Sequence, residues 1–141
     1  MFLFLSGLIV RDFKGFPSLQ EVECSGKELK PEVDLLSLSM FRTSDRHVLG
    51  TLHVIKNSCF TQTDFSSCFI DSNNGHNSKL RLLVSDLTEG ESREYGCKAN
   101  MINSKGETDA ATWTRVVTRK SEYKSFHNIQ MSSVFSFNRV E

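Results

Sequence analysis

The residues with the most chemistry to offer in this 141-residue chain are four cysteines and four histidines. His53, Cys59, Cys68 and His76 supply the nitrogen and sulfur donors that tetrahedral zinc takes. Their spacings of five, eight and seven intervening residues match no compact zinc motif, in which paired ligands sit roughly two to five residues apart. Nucleophilic catalysis would need a thiol or hydroxyl beside a base, and His47, His53, His76 and His127 are the bases on hand. The chain carries no nucleophile elbow, no glycine-rich phosphate loop and no HExxH. Four solvated surface histidines account for the pattern as well. Glu89, Glu91 and Glu94 have the residue types of an acid pair or a calcium site, but a solvated loop is the commoner outcome. The expectation is a protein without catalysis, metal or cofactor.

The cysteines make better sense as covalent links. Cys24, Cys59, Cys68 and Cys97 allow three pairings, and their number alone does not choose among them. Such links belong to oxidising compartments, and a chain only 38% hydrophobic gains from covalent support for a modest core. The ten apolar residues at the start, MFLFLSGLIV, suit the hydrophobic region of a signal peptide and are too few to span a bilayer. No basic residue precedes that run and no small-x-small site follows it, so a first strand or a truncated start is the competing reading. No other segment is long enough to cross a membrane. With 17 basic and 17 acidic side chains there is no long-range field to draw in nucleic acid or an anionic membrane. No Asn-x-Ser/Thr sequon occurs, only the cysteine variant Asn57-Ser58-Cys59.

These residues need a frame, and the chain is written in short strands. Residues 18–25 place Val22 and Cys24 on one face. Over residues 34–42, Leu36, Leu38 and Met40 alternate with Ser37 and Ser39, the period of two expected when one face is buried. Residues 47–55 form a third strand, with Gly50 a bulge or a weakness. After the polar cluster 71–79, Leu80, Leu82 and Val84 resume the alternation. Residues 94–102 put Tyr95, Cys97, Ala99 and Met101 on one face. The turn Asn103-Ser104-Lys105-Gly106 follows, its glycine free to take positive φ. Residues 107–118 return with the only tryptophan, Trp113. Strands without a convincing helix predict an all-β sandwich.

The stretch 82–97, LLVSDLTEGESREYGC, resembles the corresponding segment of immunoglobulin-like domains. Leu82, Val84, Leu87, Tyr95 and Cys97 match that pattern, and Glu91 stands where an aspartate is usual. The resemblance implies an immunoglobulin-like antiparallel β-sandwich in which Tyr95 closes a tyrosine corner and Cys97 faces Cys24 across the two sheets. Cys59–Cys68 is then a small disulfide loop that ties down the middle of the chain. One departure is clear. The tryptophan usual on the third strand is replaced by Leu35, Leu36, Ser37 and Leu38, and Trp113 is read as a packing residue of the last strand. The small cysteine loop, the missing tryptophan and the last strand resemble more narrowly the domains attached to lectin modules in molluscan haemolymph, the fibrinogen-related proteins. That likeness implies secreted recognition of non-self surfaces.

The expected organisation is an apolar segment over residues 1–11, the sandwich over 12–118 and a tail or truncated linker over 119–141. The expected role is an extracellular recognition or adhesion module that binds protein or glycan, with a structural spacer for a lectin or receptor module as the alternative. Loops at the ends of such sandwiches are the default binding surface, and Asn103, Ser104, Lys105 and Gly106 form the one loop that can be placed.

Overall fold

A computed structural model describes residues 6–13, 15–62 and 66–120. They hold nine strands: β1 Leu8–Phe13, β2 Phe16–Ser25, β3 Asp34–Arg42, β4 Val48–His53, β5 Ser58–Thr61, β6 Ser66–Phe69, β7 Lys79–Val84, β8 Ser92–Ile102 and β9 Thr108–Thr118. All described pairings are antiparallel. One sheet runs β1-β2-β7-β6 and the other β5-β4-β3-β8-β9. Alternation drives this split, because the longer strands turn their apolar sets toward the facing sheet. Val22 and Cys24 of β2, Leu80 and Leu82 of β7, Leu38 and Met40 of β3 and Cys97 and Ala99 of β8 are all buried.

Cys24 and Cys97 are bonded through the middle of the sandwich, both without solvent exposure. In the chain-entropy model, a link across 73 positions stabilises by about 4 kcal/mol. Where a third-strand tryptophan is usual, Leu35 and Leu38 are buried in the core, Leu38 with no exposure. Trp113 pairs with Cys97 on the β8–β9 ladder and packs half-buried against the core. Gly7 lies beside both. Its carbonyl oxygen is 3.8 Å from Cys97 Sγ, and a Cβ there would come within 2.5 Å of the tryptophan ring.

Several expectations need correction. On β3 the inward residue is Leu35, because a bulge between Leu35 and Ser37 shifts the ladder and leaves Leu36 only half-buried. The strands β5 and β6 went unread, being four residues each with no apolar alternation. Cys59–Cys68 does more than tie down a loop. It joins β5, the edge of one sheet, to β6, the edge of the other. Of the readings offered for residues 1–11, residues 8–11 take that of a first strand, and β1 crosses the boundary expected at residue 12, with Leu8 fully buried and a ladder from Leu8↔Cys24 to Asp12↔Gln20. At the other end Arg119 exchanges backbone bonds with Gly90 and Glu91, one residue past the expected limit. Residues 1–5 and 121–141, with His127 and the apolar residues of the tail, lie outside the described residues.

Candidate recognition surface at the loop end

Four connections meet at one end of the sandwich: residues 26–33, 54–57, 70–78 and 103–107. Two of them, 70–78 and 103–107, are held by side-chain bonds that follow from their residue types. Asn103 Oδ1 accepts from the amides of Lys105 and Glu107 (both 2.9 Å), and its Nδ2 donates to Glu107 Oε1 (2.8 Å). An asparagine that replaces backbone partners in this way builds a tight turn, and Gly106 completes it at φ 81°. In 70–78, Asp71 Oδ1 accepts from the amides of Asn74 (3.1 Å) and Asn73 (3.0 Å) ahead of a single 3₁₀ turn, Gly75–Asn77. Those amides favour the charged form and hold the Asp71 carboxyl below the ordinary aspartate range. His76 Nε2 donates to the Lys30 carbonyl (3.2 Å), and the Val54 amide donates to Leu36 O (2.9 Å). His76 thus braces 70–78 against 26–33, Val54 anchors 54–57 on β3, and the 103–107 hairpin is held by its own bonds.

Between 26–33 and the 103–107 hairpin runs a groove of about 580 Å³, walled by Leu29, Val33, Met101 and Trp113 and rimmed by Glu28, Lys30, Glu107 and Asp109. Of the four predicted loop residues only Asn103 lines it. Ser104 and Lys105 stand at the exposed tip of the turn. The Asn103 side chain is occupied inside the turn, so a ligand at the tip would meet Ser104 and Lys105 first. The groove residues from 26–33 were not expected, since nothing in their spacing marks a binding loop. Across 26–34 and 103–109 the side chains count five carboxylates and three lysines, a balance that suits hydrogen-bond donors and cationic groups over anions.

The other sequence candidates separate in space. Cys59 and Cys68 are bonded to each other, which removes both thiolates from the zinc set. Among the described residues no three side chains of metal-binding type come together. Glu91 caps its own turn, accepting from the Thr88 amide (2.7 Å) and hydroxyl (3.1 Å), while Glu94 accepts from the Thr43 hydroxyl (2.8 Å). His47 meets Gln62 Oε1 at 2.6 Å on the surface. The tyrosine corner is closed in an unexpected way. Tyr95 is buried as predicted, but its hydroxyl accepts from Arg93 Nη1 (3.2 Å), which also donates to both oxygens of Asp86 (2.9 and 3.0 Å). A side-chain relay takes the place of an upstream carbonyl.

Among solved structures, that of murine CRIg, an immunoglobulin-superfamily protein, matches over 80% of this chain and 94% of that one, with TM-score 0.50 and 10% identity. The fold is an immunoglobulin-like sandwich. Its larger sheet adds β4 and β5 to the β3-β8-β9 core, which is the strand set of variable-type domains. In such domains the loops corresponding to 26–33, 54–57 and 103–107 share one end, as they do here. No family model matches the chain. No curated protein matches it either. Nothing in these comparisons supports the narrower likeness to molluscan haemolymph proteins.

Proposed function

We propose that this immunoglobulin-like sandwich is an extracellular recognition module and that the braced loop end is its binding surface. The observation that carries the reading is the groove of about 580 Å³ between the 103–107 hairpin, fixed by the Asn103 side chain, and the 26–33 loop, whose Lys30 carbonyl accepts from His76. Rigid loops on a cross-linked scaffold lose little conformational entropy on binding, and binding residues concentrate on such loops. Two disulfides support an oxidising, extracellular setting. The ligand is a protein or glycan, and non-self surface glycans are the finer form of the reading, implied by the haemolymph resemblance. The fold alone does not assign it.

The test is to screen the purified oxidised protein against glycan and extracellular-protein arrays and then repeat the screen with Lys30→Glu and with Ser104→Arg. Loss of a specific signal in both variants, with unchanged melting, supports the reading. A signal that survives both substitutions moves the site elsewhere. A clean blank on every array favours the spacer.

A further inference from the structure

A second surface lies on the outer face of the β1-β2-β7-β6 sheet, away from the loop end. Register places Glu23 between Ile9 and Arg81, Lys79 opposite Phe69, and Arg81 opposite Ser67, all pointing outward. Glu23 is on this outer face yet only 1% exposed, because two arginines close over it. Arg11 Nη1 donates to Glu23 Oε1 at 3.0 Å and Arg81 Nε to the same oxygen at 3.1 Å. Arg81 thus spends its inner nitrogen on the carboxylate and leaves the outer fork of its guanidinium toward solvent. The Lys79 ammonium donates no hydrogen bond among the described residues, although its charge acts on Glu23. Phe69 is 55% exposed beside these cations. Ser67, Phe69, Lys79 and Arg81 line a groove of about 330 Å³, at the small end of ligand pockets.

We propose that this groove binds an acidic saccharide, with the Arg81 fork and Lys79 on the carboxylate or sulfate and Phe69 against a face of the sugar ring. The chemistry selects that class. A guanidinium already oriented by a buried carboxylate meets a pair of anionic oxygens with little entropy left to lose. An adjacent ammonium adds charge without directional demand, and an aromatic ring offers apolar surface to the C–H face of a pyranose. The ladder with β7 sets Phe69 opposite Lys79, and the Cys59–Cys68 bond ties the same strand to β5. A membrane surface is disfavoured, since polybasic attraction takes roughly four to eight cations in a cluster. This face offers Arg11, Lys79 and Arg81 against Glu21 and Glu23. A nucleic acid is disfavoured by the zero net charge of the chain. The site does not rest on the loop-end reading.

The experiment titrates the full oxidised chain by calorimetry and by amide chemical shifts with 3′-sialyllactose, a sulfated heparin disaccharide, neutral lactose and inorganic sulfate. At least one acidic sugar binds, with shifts centred on residues 67–69 and 79–81, and whichever one does identifies the anion. Lys79→Gln and Phe69→Ala each weaken it by about tenfold or more, the loss of one charge-assisted or apolar contact. Ser104→Arg leaves it unchanged. Both groove positions are on the outer face, so the melting temperature reports that each variant is folded. Equal binding of lactose, sulfate binding as tightly as the saccharide, unaltered affinity in both variants, or no binding by any probe at about 10 mM would each overturn the proposal.

Discussion

Removing the first strand is the sharpest test of where this domain begins. A chain of residues 12–120 lacks Leu8, Ile9, Val10 and Arg11, whereas one of residues 6–120 keeps them. Leu8 has no exposed surface, and deleting a buried leucine costs about 3 to 5 kcal/mol. Val10 is half-buried against the same core and adds about 1 kcal/mol. The Ser25 amide loses Gly7 O, its partner at 2.8 Å, and Glu23 loses one of its two arginines. The sum is about 5 kcal/mol, comparable with the whole stability of a small domain, about 5 to 15 kcal/mol. With a urea slope near 2 kcal/mol/M, the midpoint of the shorter chain should fall by about 2 to 3 M, or its cooperative transition should vanish. Urea unfolding of both oxidised chains, followed by Trp113 fluorescence, measures this. Midpoints within about 0.5 M would mean that β1 contributes nothing to the core and that the domain starts at β2.

Other expectations are narrower. Gly7→Ala should lower stability by about 1 to 3 kcal/mol, seen in the same urea assay, because the added Cβ would sit 2.6 Å from Ser25 O and 2.5 Å from the Trp113 ring. Mild reductant under native conditions should open Cys59–Cys68 before Cys24–Cys97, since the first pair is exposed and the second wholly buried; mass spectrometry after alkylation should find label on Cys59 and Cys68 first. Tyr95→Phe keeps the buried ring and removes one acceptor for Arg93, so it should cost about 1 kcal/mol by denaturant midpoint. Burial alone would raise the Glu23 carboxyl, but bonds from Arg11 and Arg81 outweigh it and leave it below the usual glutamate value of 4.5. Its contribution to stability is then fully present above 4.5 and lost as pH falls through the lower folded value. Thermal melts from pH 6 to pH 3 should show a shallower acid limb in Glu23→Gln, and identical limbs would remove Glu23 from the account of acid sensitivity.

Strands with one buried and one wet face were legible from residue type alone. Asp34–Arg42 matches its expected bounds, and Leu80, Leu82 and Val84 point inward as their alternation requires. The Tyr95–Cys97 spacing carried the sandwich and its central link. What escaped was whatever depends on distant partners. SCFT and SSCF have no periodic apolar set, and only pairing with β4 and β7 makes strands of them. The substitution of Leu35 for Leu36 comes from a one-residue bulge, which no spacing announces. The Arg11–Glu23–Arg81 cluster joins side chains 12 and 58 positions apart, so local pattern had no access to it. At the loop end the hairpin was readable from Asn103 and Gly106. The groove wall from 26–33 was not, because it exists only once β2 and β3 sit in opposite sheets.

The Cys24–Cys97 bond also decides how this protein behaves under tension. A pull applied to the two ends of the chain passes from β2 straight through the sulfurs into β8, and the loop they close, a sequence separation of 73, carries no load. At roughly 3.5 Å per residue, that withholds about 250 Å of slack for as long as the bond is oxidised. Only the segments before Cys24 and after Cys97 can pay out: β1 with most of β2 on one side, and the end of β8 with β9 on the other. Oxidised, the molecule is a short tether with a stiff middle; reduced, it becomes an extensible one.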